Sequence, residues 1–259
     1  MNETIPLEKI PTSGMAVLLS YPRLDLEEVE RRVEEARGLG VEAIELRGRQ
    51  SICGYPVLGK GHTGVVLAVR TRDGSAAMKI RRVDADRVSF EREAEMLRMA
   101  NEALVGPRLL GASENLILME LVEGQYLAEW LSKPDLEAGS VKRMLRRLLD
   151  MARRLDLKGL DHGELSRAHR HILISGEEPV ILDFESSSIL RRVSNITSLI
   201  QYLFINERNR HLLGRWLNLP ERNSLLKALK NYKKTLSEED YETLLNLVDL
   251  TDDDVNKAL

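Results

Sequence analysis

The chain has 259 residues, 43% hydrophobic and 31% charged, with a formal net charge of −3, enough for one two-lobed domain or two small ones with a sizeable core. The charge balance implies no polyanion partner, and the single cysteine, Cys53, excludes an internal disulfide framework and a cysteine-rich metal site. No apolar run approaches the roughly 18 residues of a membrane span, and residues 1–6 lack the basic and apolar regions of a secretion signal; a reduced cytoplasmic setting without membrane contact is expected.

Residues 1–54 read as a strand–helix–strand extension. Met15–Ser20 is predicted as a strand. Asp25 then caps a helix, with Glu28 completing a capping box. Leu26, Val29, Val33 and Ala36 form its apolar stripe, and Gly38 and Gly40 end it. Val41–Leu46 alternates as a strand, and Cys53 reads as a small apolar filler.

Leu58–Val66 reads Gly-x-Gly-x-x-Gly-x-Val, with glycines at 59, 61 and 64. Alone the pattern is weak, because a Rossmann dinucleotide loop uses the same glycines before a helix. Here Val65–Val69 is a β-branched apolar run, so the loop joins two strands. Arg72-Asp73-Gly74 marks a turn, and the next strand, Ala76–Ile80, carries one lysine, Lys79. The combination resembles the nucleotide lid of a protein kinase. There the amides of Gly59, Gly61 and Gly64 would approach phosphate oxygens, and Lys79 would neutralise the α- and β-phosphates. A helix over about 85–101 follows, with Phe90, Ala94 and Leu97 on one face. Of Glu91, Glu93 and Glu95, Glu93 falls on the edge of that face and is the expected partner of Lys79. Strands over 108–112 and 116–119 lead to Glu120-Leu121-Val122-Glu123-Gly124. There the backbone at Glu120 and Val122 would meet adenine, and Gly124 would serve as a hinge. The nucleotide lid thus spans 55–124, and a reduced helical lobe spans 125–259. In that second lobe a helix over 137–157 places Val141, Leu145, Leu148, Leu149, Ala152 and Leu155 inward.

The chemistry-bearing stretch is Leu160-Asp161-His162-Gly163-Glu164-Leu165-Ser166, followed by His169, His171 and the strand Ile172–Ile174. A second buried strand, Val180–Leu182, ends at Asp183-Phe184-Glu185. A carboxylate ending such a strand suits Mg²⁺, a hard cation.

The order of glycine loop, Lys79, Glu93, His-Gly-Glu and Asp-Phe-Glu resembles the protein-kinase-like superfamily over about 55–185. His162–Ser166 is similar to the catalytic loop of the RIO kinases and of the small kinase of the KEOPS tRNA-modification complex. The whole chain resembles small archaeal predicted Ser/Thr protein kinases. The resemblance implies an α+β, two-lobed fold with a small antiparallel sheet and a reduced helical lobe. It implies Mg·ATP-dependent transfer to a protein Ser or Thr hydroxyl, with Glu164, Lys79 and Asp183 as the catalytic set. No Ala-Pro-Glu-like segment follows Asp183, as in the RIO type, so no long activation loop is expected.

Three departures qualify the resemblance. Glu164 stands where the family has aspartate, with Asp161 the weaker substitute. The metal-binding asparagine position, five after that acid, is His169, with His171 the alternative if the register slides by two. Histidine favours softer metals, so Mn²⁺ is a candidate beside Mg²⁺. Glu185 replaces the glycine of Asp-Phe-Gly, as in small-molecule phosphotransferases. A small-molecule phosphotransferase and an ATP-binding switch on an RNA–protein assembly are the alternative functions.

Residues 191–234 carry ten basic and two acidic side chains, and 237–259 carry eight acids and one lysine. The first block is a candidate surface for RNA or a ribonucleoprotein. Neutralisation by the acidic tail, or simple solvation of both, is the plainer reading. Trp216 reads as core rather than as a base-stacking platform.

Overall fold

The computed structural model describes residues 3–86 and 88–251 and is a mixed α+β chain. It divides into two compact units, residues 1–98 with 107–122, and residues 99–106 with 123–259.

The first unit is built on an antiparallel sheet. Its strands are β1 (Thr4–Pro6), β2 (Val41–Glu45), β6 (Gly64–Thr71), β7 (Gly74–Arg81), β9 (Leu116–Glu120) and β8 (Leu109–Ala112), in that spatial order. A short strand β5 (Gly59–Lys60) pairs with β6, and β3 (Gln50–Ile52) pairs with β4 (Tyr55–Val57) as a separate hairpin. The extension over residues 1–54 packs into this unit, since β2 pairs with β6 and extends the same sheet. Val29, Val33 and Ala36 of helix α2 (Leu26–Gly38) bury with Val65, Leu67, Val69 and Met78 in one core.

Four local expectations are corrected in this unit. Met15–Ser20 is not a strand, since Ala16–Leu19 forms a single helical turn, α1. Ser13 Oγ accepts from the Met15 amide at its start, and a short buried apolar run fits either structure. The capping box is half formed. Asp25 accepts from the Glu28 amide at 3.1 Å, but the Glu28 carboxylate turns to Arg31 and the fully buried Arg32. Helix α3 runs Glu91–Glu102 and starts later than expected, because the Phe90 amide donates to Glu114 O; Arg87, inside the expected helix, lies outside the described residues. Cys53 is exposed, not a core filler. With Gly54 it makes a two-residue turn at positive φ (51° and 86°) between β3 and β4, the twist a tight hairpin needs.

The second unit contains β10 (Gln125–Tyr126), α4 (Leu127–Leu131), α5 (Ala138–Lys158), β11 (Ile172–Ser175) and β12 (Glu178–Ile181). The strands form one antiparallel sheet, β10-β11-β12. Helices α6 (Asn195–Ile200), α7 (Glu207–Leu213), α8 (Arg222–Thr235) and α9 (Glu238–Leu247) follow, with a π-helical turn over Gln201–Ile205. Every inward position expected on α5 is fully buried, and Gly159 ends that helix in the left-handed conformation. Trp216 is half-buried and tethered, its indole N–H donating to Leu136 O at 3.1 Å. Among the described tail acids, Glu238 pairs with Arg153 and Asp249 with Lys142, both on α5. Asp252, Asp253, Asp254 and Lys257 lie outside the described residues. No helix among the described residues is long and apolar enough to cross a membrane.

Candidate functional site

The first unit assembles the lysine. Along β7, Ala77–Ile80 are buried in succession, so Lys79 is held among apolar neighbours, 7% exposed. A buried ammonium needs a counter-charge. Glu93, 4% exposed on the first turns of α3, supplies it: Lys79 Nζ lies 2.6 Å from Glu93 Oε1. The Phe90 ring lies 5.4 Å from the same ammonium. Glu93 is thus the acid that meets Lys79, while Glu95 pairs with Arg98 near the surface.

The glycine hairpin lies across β6 from this pair. Gly64 is closely packed: a Cβ there would sit 3.1 Å from both Lys79 Cε and Phe90 Cζ and 3.0 Å from Ile80 O, so these neighbours would have to give by a few tenths of an ångström. Gly59 and Gly61 would meet only ordinary contacts. The Gly61 amide closes the hairpin onto Gly64 O at 2.8 Å, which spends one of the three amides expected at phosphate. At the far end of the sheet, Glu120 closes β9 and its carboxylate accepts from the Arg108 amide. Leu121 and Val122 follow without secondary structure, leaving main-chain polar groups of the kind a purine edge requires.

The second unit assembles the acids, and a buried network fixes their loop. Asp156, on the inward face of α5, accepts from the Asn195 and Ile196 amides, the Asn195 side chain and the Tyr232 hydroxyl. Burial raises its pKa, and these donors oppose that rise. Asn195 Oδ1 in turn accepts from the His162 amide at 2.8 Å. The His162 ring is fully buried, and burial pushes its pKa down to about 4. A neutral imidazole satisfies both neighbours in one tautomer: Nε2–H donates to Leu182 O at 3.0 Å, and Nδ1 accepts from the Glu164 amide at 3.3 Å. One histidine thereby joins the loop bearing Glu164 to the strand end bearing Asp183. Between His162 and Glu164, Gly163 adopts φ +86°, where a Cβ would meet Ser186 O at 2.8 Å. Asp161 is committed elsewhere, accepting from Ser194 and pairing with Arg191.

β12 ends at Ile181, and Asp183 takes the left-handed conformation, φ +67°. For a non-glycine residue that backbone is costly, and such strain concentrates at functional positions. The Glu164 carboxylate, one-third exposed, accepts from Ser186 Oγ at 3.2 Å. The His171 ring is buried between the two acids, its Nε2 2.8 Å from Glu164 Oε2 and its Nδ1 3.7 Å from Asp183 Oδ2. Neither ring nitrogen is aligned for a hydrogen bond. His169, expected at this place, is exposed and stacks on Tyr202 at 6.3 Å. Two extra residues before β11 put His171 in the position beside Asp183.

A divalent ion is what the kinase resemblance implies. Among the described residues no cluster of three or more His, Cys, Asp or Glu could cage one. The donors present are the carboxylate of Asp183, 40% exposed, and the unaligned Nδ1 of His171. One carboxylate fits Mg²⁺, which binds through one or two carboxylates and completes its shell with phosphate and water. The imidazole adds a donor suited to Mn²⁺.

Sequence reasoning missed the supporting network. Asp156 follows Leu145, Leu149 and Ala152 at helical spacing on the buried face of α5, a polar residue in an apolar stripe that needs partners. Arg32 carries the same signal within Val29, Val33 and Ala36.

Comparison with known proteins points in one direction. Residues 68–196 match the model of the RIO domain family. The chain is similar to the uncharacterized protein MJ1211 of Methanocaldococcus jannaschii, 27% identical over 118 residues, covering 45% of this chain and 99% of that protein.

Proposed function

Since the chain belongs to the RIO-like atypical kinase family, we propose that it transfers the γ-phosphate of ATP to a serine or threonine hydroxyl of a protein. The observation that carries this reading is the buried pair Lys79–Glu93 at 2.6 Å beside the glycine hairpin, a cation held rigid and dry where phosphates need neutralising. The hairpin of Gly59, Gly61 and Gly64 covers the phosphates, and Glu120 and Val122 offer backbone to the adenine. Asp183, with the His171 imidazole beside it, would hold the metal, which when bound would neutralise charge on the transferring phosphoryl group. Glu164 orients the acceptor hydroxyl and takes its proton. Its carboxylate accepts from Ser186 Oγ at 3.2 Å and lies 2.8 Å from Nε2 of the buried His171 ring, which limits the room left to the extra methylene relative to aspartate.

Transfer of labelled γ-phosphate, with Mg²⁺ and separately Mn²⁺, tests the reading. Label on protein Ser or Thr is expected from the wild type and is lost in Lys79→Ala and Asp183→Asn. Saturable ATP binding that needs Lys79, without transfer to any protein, overturns it.

A further inference from the structure

Many arginines among the described residues meet an acid. Arg32 pairs with Glu28, Arg70 with Glu45, Arg146 with Asp150 and Arg153 with Glu238. Arg167, Arg170 and Arg208 are exposed and have no carboxylate partner among the described residues. They converge on one place. Arg167 and Arg170 flank His169 in the helical turn over Leu165–Arg170, His169 stacks on Tyr202 at 6.3 Å, and Tyr202 lines the same cleft as Arg208. Among the described tail acids, Glu238 and Asp249 pair with α5 instead.

The same place is a groove. An open cleft of about 690 Å³ is lined by Ser166, Tyr202, Ile205, Glu207, Arg208 and Arg222. Its floor is the π-helical turn over Gln201–Ile205, an irregularity common at functional positions. Arg222 donates to Ile205 O at 3.3 Å. Glu221 is spent capping α8, which leaves Glu207 as the acid of the rim. Ser166 is two residues beyond Glu164, so a chain lying in the groove runs towards the acid that would receive its hydroxyl.

Resting on the phosphotransfer reading above, we propose that this groove binds the acceptor, and that the acceptor is a polypeptide whose Ser or Thr is flanked by Asp or Glu. Carboxylates beside the hydroxyl would meet Arg167, Arg170 and Arg208, which offer charge-assisted, forked donors. The chemistry favours a peptide over single-stranded RNA. Nucleic acid of that kind needs open aromatic faces for its bases, and here the rings of His169 and Tyr202 stack on each other.

Two readouts test the proposal on the full-length chain. The first is fluorescence-anisotropy binding, without ATP, of a peptide carrying a serine among aspartates, against the same peptide with lysines and a single-stranded RNA of equal charge. The second is phosphate transfer to the two peptides. The aspartate peptide is expected to bind about tenfold tighter than the lysine peptide at low salt, with the preference falling as salt rises. Charge reversal of Arg167 and Arg208 to Glu should invert that order, and the difference in transfer should lie in KM rather than kcat. Both positions are exposed and outside the phosphate and metal groups, so the variants should retain wild-type ATP binding. Equal binding of both peptides, tighter binding of the RNA, or a preference that survives both reversals overturns the groove assignment. Aspartate-peptide binding that is lost on reversal, without any transfer, sustains the groove and overturns the phosphotransfer reading instead.

Discussion

The two units build their chemical groups in opposite ways. In the first, one ion pair does the work: a strand lysine and a helix glutamate, both nearly sealed from water, meet at 2.6 Å. In the second, the acids stay partly open, Glu164 at 32% and Asp183 at 40% side-chain exposure. Their positions come from a buried relay of neutral and hydrogen-bonded groups, Asp156, Asn195 and His162. The difference is chemical. A group that neutralises charge gains from a dry surrounding that strengthens its field, whereas groups that exchange a proton or hold a metal need access. Rigidity in the open site therefore has to come from beneath it.

The sharpest way to break this contrast is to remove the sealed cation. Lys79→Ala should lower transfer on the order of 10²–10³-fold, measured as kcat/KM for ATP, and should also lower stability, because it leaves the Glu93 carboxylate buried without its ammonium. Removing the other member is the structural counterpart. Glu93→Ala leaves a buried ammonium without its carboxylate and should cost about 3 kcal/mol in urea unfolding, while Glu93→Asp costs less. A Glu93→Ala protein as stable as the wild type would deny that the pair is sealed.

The second unit should break through acid instead. The pKa of His162 is lowered by burial from 6.5 to about 4, so the unfolded chain takes up this proton first. Its contribution to stability is present in full above pH 6.5 and is lost as pH falls from 6.5 to 4, amounting to roughly 3 kcal/mol. An NMR titration should place the His162 imidazole near 4, and a value at the ordinary 6.5 would contradict the relay. The smallest effect is expected at the hairpin tip. Lys60 lies 4.7 Å and Arg82 5.1 Å from the centre of the Tyr21 ring, and Arg82 donates to Gly61 O at 3.2 Å. Tyr21→Ala should raise KM for ATP about threefold by loosening the hairpin, and Tyr21→Phe should not, since the attraction is to the ring face.

How much of this could be read from the chain follows the same contrast. The sealed pair was legible because both partners sit in periodic elements, where a lone lysine in an apolar strand and a glutamate at the edge of a helical stripe are visible at fixed spacing. The hairpin, the long helix α5 and the acid strand end were legible for that reason too. The relay was not, because Asp156, His162 and Asn195 lie far apart in sequence and meet through loop geometry that no period encodes. The same cause left the choice between His169 and His171 open in the sequence, because it depends on how two extra residues coil before β11. Tyr21 escaped notice because the segment before α2 gives no periodic signal, and the single turn of α1 was read as a strand on apolar content alone.

Glu164, the glutamate that stands in an aspartate's place, is the group on which the proposed transfer depends most. The most direct measurement is single-turnover transfer of γ-phosphate by the wild type and by Glu164→Gln, with ATP affinity recorded for each. ATP affinity unchanged within about twofold, with transfer slowed on the order of 10²–10⁴-fold, is the predicted result. Transfer by Glu164→Gln at the wild-type rate would contradict it and would remove Glu164 from the reaction.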